Sequence, residues 1–182
     1  MKNENTIWSN VIDAVEAGLA ENSIADFEVI QSGQPSKSTI PGGTASPTIW
    51  IDKVSSKRYG KQSRTPSVED DVLIENKSSY QEIMFQVTGR KSRLPADTIS
   101  TQTSTDVLNL LVDYFNGQEG IDKLKTFEMS CINVTEVRTP VGMSDSDLYS
   151  KDPSFDLTIT LIQSNTRTLP VVTEKTVTIE QV

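Results

Sequence analysis

The sequence predicts an α+β fold: a mostly antiparallel sheet with helices packed against it, an extended arm hairpin and a strand-like C-terminal extension. Three observations carry this expectation. Phe155, Leu157, Ile159 and Leu161 alternate with Asp156, Thr158 and Thr160, the period-two pattern of a half-buried strand. Val107, Leu108, Leu111, Tyr114 and Phe115 recur at three- and four-residue steps, the stripe of a helix with one buried face. Two extended apolar runs, Thr48 to Val54 and Tyr80 to Thr88, flank a long polar connection, as in a protruding hairpin.

Taken in order, the elements are as follows. Thr6 to Ala20 predicts a helix whose stripe is Trp8, Val11, Ile12, Val15 and Leu19, with Asn5 or Thr6 as its cap. A short strand is expected around Phe27 and Val29. Gln31 to Pro47, with three prolines, three glycines and four serines, is a loop. In the next strand Ile49 and Ile51 point one way and Trp50 and Val54 the other, so both faces are partly apolar, as in a central strand. Ser55 to Lys77 reads as the arm, with Lys57, Arg58, Lys61 and Arg64 on a basic side and Glu69, Asp70 and Asp71 on an acidic one; Val72 to Ile74 adds a short strand.

Ile83, Phe85 and Val87 share one face of the return strand, and Gly89 to Pro95 is a second basic connection carrying Arg90, Lys91 and Arg93. Thr103 and Asp106 have the spacing of a capping box, and Gly117 is expected to end the helix Asp106 to Asn116 in a left-handed conformation. Ile121 to Lys125 adds one further turn. Phe127 to Val137 is a strand with Phe127, Met129 and Cys131 on one side and Ile132 and Val134 on the other; Thr139 to Pro153 is a loop. Beyond the strand that ends at Gln163, Thr166 to Pro170 leads into an alternating tail with Val171, Thr173, Val177 and Ile179 on one side. The expected division is a domain over residues 1–169 and an extension over 170–182.

Composition narrows the function. A chain of 182 residues suits one domain, able to bury about 70% of its unfolded surface. Its apolar content is 35%, about 40% with the nine glycines, against a usual ~45–50%. Long polar connections, or burial completed against neighbours, account for that. A net charge of −8, from 17 basic and 25 acidic residues, argues against general duplex binding, which needs a basic footprint. It does not exclude a pore through which DNA slides, where an acidic wall would help by not sticking. The single cysteine, Cys131, is expected as a small core residue in a reducing cytoplasm, and no membrane span or signal peptide is expected.

The sequence contains no histidine, so serine–histidine and cysteine–histidine mechanisms are excluded, and a closed zinc site effectively so. Carboxylate or lysine chemistry with magnesium remains, but no strand offers the acid-x-lysine pair of a metal-dependent nuclease. Asp145-Ser146-Asp147 with Asp152 fails as a calcium loop because Tyr149 and Ser150 occupy its fifth and sixth positions. Pro41-Gly42-Gly43-Thr44 lacks the lysine of a phosphate loop. No catalytic set, cofactor or metal is expected. The basic segments, with Tyr59 interleaved, leave three readings open: a solvated turn, a subunit or partner contact, or DNA contact. Trp8, Tyr114 and Phe115 are expected in the core, and Trp50 either there or at an interface.

Pro47 to Ile51, Ser56 to Gly60, Tyr80 to Val87, Asp106 to Leu111, Asn133 to Val137 and Phe155 to Leu161 follow one another as strand, arm, return strand, helix, strand and final core strand. This succession, over roughly Thr6 to Gln163, resembles the phage tail-terminator family, also called neck or tail-completion proteins. The resemblance implies a structural virion protein, not an enzyme. It would be assembled in the host cytoplasm into a ring, usually a homo-hexamer, at the tail–neck junction. A tail-tube protein would lie below it and a head-side connector or neck protein above, with a sheath as a further candidate partner. DNA would pass through the pore without specific binding. Lys57, Arg58, Lys61, Arg64, Arg90, Lys91, Arg93 and, in the tail, Val171, Val177 and Ile179 would form its contacts. The alternatives are a tail-tube or head–tail adaptor subunit, a magnesium-dependent nuclease, or a host-encoded binding module.

Overall fold

A computed structural model describes residues 3–25, 27–32, 48–69, 72–90, 102–139 and 152–170. Its elements are α1 (Glu4–Glu21), β1 (Glu28–Gln31), β2 (Thr48–Glu69), β3 (Val72–Arg90), α2 (Ser104–Asn116), α3 (Gln118–Thr126), β4 (Met129–Val134) and β5 (Ser154–Pro170). The strands form one sheet in the order β1-β2-β3-β5-β4, antiparallel except where β1 pairs with β2. The fold is α+β, as the patterning predicts.

Helix α1 starts earlier than its apolar stripe implies. Its cap is Asn3, whose Oδ1 accepts from the Thr6 amide at 2.7 Å, so Thr6 is the third residue of the helix and not its cap. At the other end Ser23 takes φ 56°, and the Ser23 and Ile24 amides donate back to Ala20 and Leu19. This is a left-handed helix stop built without glycine. The α2 start matches the sequence pattern: Thr103 Oγ1 accepts from the Asp106 amide, and Asp106 Oδ2 accepts from the Thr103 amide and hydroxyl.

The α2 end does not match. Gly117 sits at φ −81°, ψ 167°, extended and not left-handed, because it closes α2 and opens α3 at once. The turn expected at Ile121 to Lys125 is nine residues of helix, and its left-handed residue is Glu128, at φ 54°.

All three helices pack on one face of the sheet. Ile49, Ile51, Ile83, Phe85, Val87, Phe155, Leu157, Ile159, Leu161 and Met129 meet Trp8, Val11, Val15 and Leu19 of α1 and Val107, Leu108, Leu111 and Phe115 of α2. Trp8 sets its edge against Phe85, ring centres 5.1 Å apart. Two glycines permit the helix contacts. A Cβ on Gly18 would lie 2.7 Å from Tyr114 Cδ1, and one on Gly120 would lie 2.4 Å from the Tyr114 carbonyl oxygen.

The far face of β2 is not core. Val54 is exposed, and Trp50 is half-buried beneath the Arg90 guanidinium, 5.1 Å from its ring centre. In β4 the alternation breaks at a register shift between Cys131 and Asn133, leaving Ile132 exposed. Cys131 packs against the core from a half-buried position, and its thiol is pushed up by loss of solvent.

Candidate partner-binding surface

The core uses only one end of the long strands. β4 covers β5 from Leu157 to Leu161, and β1 covers β2 from Thr48 to Ile51. Beyond those points β2, β3 and β5 continue as a three-stranded ribbon, with Val72↔Glu69 and Val72↔Pro170 as its last pairs. From Ser79 to Val72 the ribbon runs about 25 Å at the usual rise per strand residue. This is the predicted arm, with one difference. Thr166 to Pro170, expected from the sequence only to lead into the tail, belongs to its third strand. A two-stranded hairpin in water is marginal, and the third strand supplies the missing pairing.

Cross-strand register sorts the arm's side chains by face. On the helix side, Arg58 pairs with Gln81, Arg64 with Lys77, and Glu75 with Pro66 and Arg167. Lys77 and Arg64 hold Glu75 at 3.2 and 3.7 Å. At the arm's root, Arg58 lines a cleft of about 270 Å³ with Glu4, Trp8, Lys53, Gln81 and Gln163, which fixes that face as the one α1 lies on. Lys53 Nζ donates to Glu4 Oε1 at 2.6 Å across the same cleft. The opposite face carries Lys57 and a row across all three strands, Tyr59, Tyr80 and Ile162, which are 47%, 60% and 56% exposed.

The sequence-predicted contact residues are therefore divided. Arg58 and Arg64 share the helix-side face, and Lys57 lies on the other. Lys61 lies where residues 60–62 face Ser79 in an irregular stretch of β2, and its side chain is outside the described set. Arg90 is tied at the base of the sheet. Its Nε donates to Asp152 Oδ1 at 2.9 Å and its Nη2 to Oδ2, and that hydrogen-bonded carboxylate holds the guanidinium pKa above its ordinary value. Lys91, Arg93, Val171, Val177 and Ile179 lie outside the described residues, as do Asp70, Asp71 and the Asp145 loop.

Lys77 and Arg167 complete the basic face and were not legible as members of it. Arg167 sits in Gln163-Ser-Asn-Thr-Arg-Thr, where no apolar alternation marks a strand. Among the described residues no group of histidine, cysteine, aspartate or glutamate is placed to hold a metal. No described helix is long and apolar enough to cross a membrane.

The described part of the ribbon thus carries cations and aromatics beyond the core. The family model described as E217 gateway protein gp29 matches residues 6–171. The chain belongs to this family. The E217 gateway protein gp29 family is one of phage structural proteins, so the chain is a phage structural protein. No curated protein matches it. The gateway-family match covers α1 through the end of β5, so core and arm both belong to the family's shared part.

Proposed function

We propose that this chain is the repeating subunit of a ring that ends the phage tail tube and joins it to the head-side connector. The observation that carries the reading is the arm. A subunit with a ribbon reaching about 25 Å beyond its core is built to touch a neighbour at a distance. Membership of a gateway family supports a place on the path between head and tail. Contacts made by two different patches generate a ring when the rotation closes, which is the geometry a tail end requires, with six subunits as the usual number. The tail-tube protein would lie below and the neck protein above. A net charge of −8 suits a wall past which DNA moves without binding.

The test is reconstruction of the parent virion's neck by cryo-electron microscopy. A single ring of this chain at the head-proximal end of the tube is the expected result. Repetition down the tail would make the chain a tube subunit. Its absence from the particle would overturn the reading.

A further inference from the structure

The molecule carries two exposed surfaces of opposite sign, and they lie apart. The helix-side face of the arm carries Arg58 at its root and gathers Arg64, Lys77 and Arg167 around one carboxylate, Glu75. Arg58 and Arg167 make no ion pair among the described residues. Helix α1 holds four carboxylates and α2 two, all exposed, and neither helix contains a lysine or arginine. Glu4 is taken by Lys53 and Asp106 by the α2 cap. Asp13, Glu16, Glu21 and Asp113 remain, with Glu119 of α3 beside them. The Tyr114 hydroxyl is pushed up by burial and then by Glu21 and Glu119, so both carboxylates lie near Tyr114.

The arm of one subunit cannot neutralise its own acidic face. Arg58 lies beside Glu4, at the start of α1. An 18-residue helix is about 27 Å long, so Glu16 and Glu21 lie toward the end remote from the arm. Strand addition along the arm's β2 edge is also disfavoured, because Pro66, the cations and the irregularity at residues 60–62 interrupt it. The face of the arm, not its β2 edge, carries the charge complementary to the helices.

We propose that the helix-side face of the arm docks on the α1–α2 face of a second copy of this chain, its cations meeting Asp13, Glu16, Glu21 and Asp113 of that copy. Complementary charge selects this occupant over nucleic acid: the opposite charge lies on the same chain, whose net charge is −8. The two patches differ, so the contact is head-to-tail, the kind that propagates around a ring. The inference deepens the ring reading and rests on it for closure of the contact into a circle.

The test places a photo-cross-linking residue on the arm of the full chain, Arg167→p-benzoylphenylalanine, supplied during phage growth. After irradiation, the linked peptides are identified by mass spectrometry. A link from position 167 to α1 or α2 of another copy is the expected result. A link to DNA or to another protein, or no link between copies, overturns the proposal.

Charge exchange is the second arm of the test. Arg58→Glu with Arg64→Glu should cut the cross-link yield about tenfold, Glu16→Lys with Glu21→Lys should do the same, and the two pairs together should restore it. A combined variant that melts like the parent and is not restored counts against the interface. The link is read between copies wherever the chain sits. A link without a ring at the neck therefore sinks the ring reading alone, and a ring without the link sinks this interface alone.

Discussion

Replacing Gly120 by alanine should be far more damaging than the same change at Gly18, although both glycines sit where two helices touch. At Gly120 the new Cβ would lie 2.4 Å from the Tyr114 carbonyl oxygen, 2.9 Å from Phe115 Cα and 3.0 Å from the Tyr114 carbonyl carbon. All three are backbone atoms of α2 and cannot rotate away. Helix α3 would have to back off by most of an ångström, carrying the fully buried Leu124 with it. Overpacking of this kind costs about 1–3 kcal/mol and more where backbone must move, against about 1 kcal/mol gained from alanine's helix propensity. A net loss of about 2 kcal/mol should lower the melting temperature by roughly 4–8 °C in a chain of this size. At Gly18 the Cβ would meet Tyr114 Cδ1 at 2.7 Å and Leu111 Cδ2 at 2.8 Å, both in side chains that can shift. There the same propensity gain nearly cancels the crowding, and the net change should stay within about 1 kcal/mol. The assay is urea unfolding and thermal melting followed by circular dichroism. Equal stability of the two variants, or a Gly120→Ala protein as stable as the parent, would refute the packing argument.

Three further outcomes are expected. Thr103→Ala should cost about 1 kcal/mol at neutral pH by removing the α2 cap. The Thr103 side chain and amide hold the Asp106 carboxyl below its ordinary value, so the carboxylate's share of the cap's stabilisation is complete above the usual carboxylate range and is lost as pH falls through the lower folded value. The hydrogen bond from the Asp106 amide to Thr103 Oγ1 does not titrate, so the gap between parent and variant should narrow in acid without closing, and a constant gap in melts across pH would contradict this. Ser23→Gly should stabilise the chain by up to about 1 kcal/mol, since Ser23 occupies a left-handed conformation at φ 56° that glycine adopts freely; a lower urea midpoint would count against it. Deleting residues 170–182 should weaken ring formation if the tail adds a strand to its own sheet or a neighbour's, with unchanged particle assembly as the contrary result.

The core was legible because burial leaves a period in the sequence. The buried residues of α1 and α2 include Trp8, Val11, Val15, Leu19, Val107, Leu108, Leu111, Tyr114 and Phe115, the stripes their spacing announces. The strand faces at Ile83, Phe85 and Val87 and at Phe155 to Leu161 follow the same logic with a period of two. What the pattern misplaced were ends, because a helix end is set by local hydrogen bonds that need no apolar residue. Asn3 caps α1 one turn before its first stripe residue, and Ser23 and Glu128 take the left-handed stops where glycine was the natural expectation. Gly117 was misjudged because its conformation depends on α3 starting at once, and only Gly120, free of a Cβ, lets α3 fold back so closely on α2.

The arm was legible as a protrusion but not as a surface, for the opposite reason. A ribbon of mostly polar residues, with no continuous apolar face, leaves no hydrophobic period to read. Only register shows that Arg64, Lys77 and Arg167 surround Glu75, residues separated by as much as the whole length from β2 to β5. Such a ribbon also needs something other than a core to fix its pairing, since strands without a buried face slip easily. The row Tyr59, Tyr80 and Ile162 meets that need. It crosses all three strands at the arm's root, next to the irregularity at residues 60–62, where a slip would otherwise begin. Its exposure is then the cost of holding the arm in register. The low apolar content has the same origin: a buried apolar core is averaged with a ribbon rich in polar and charged residues.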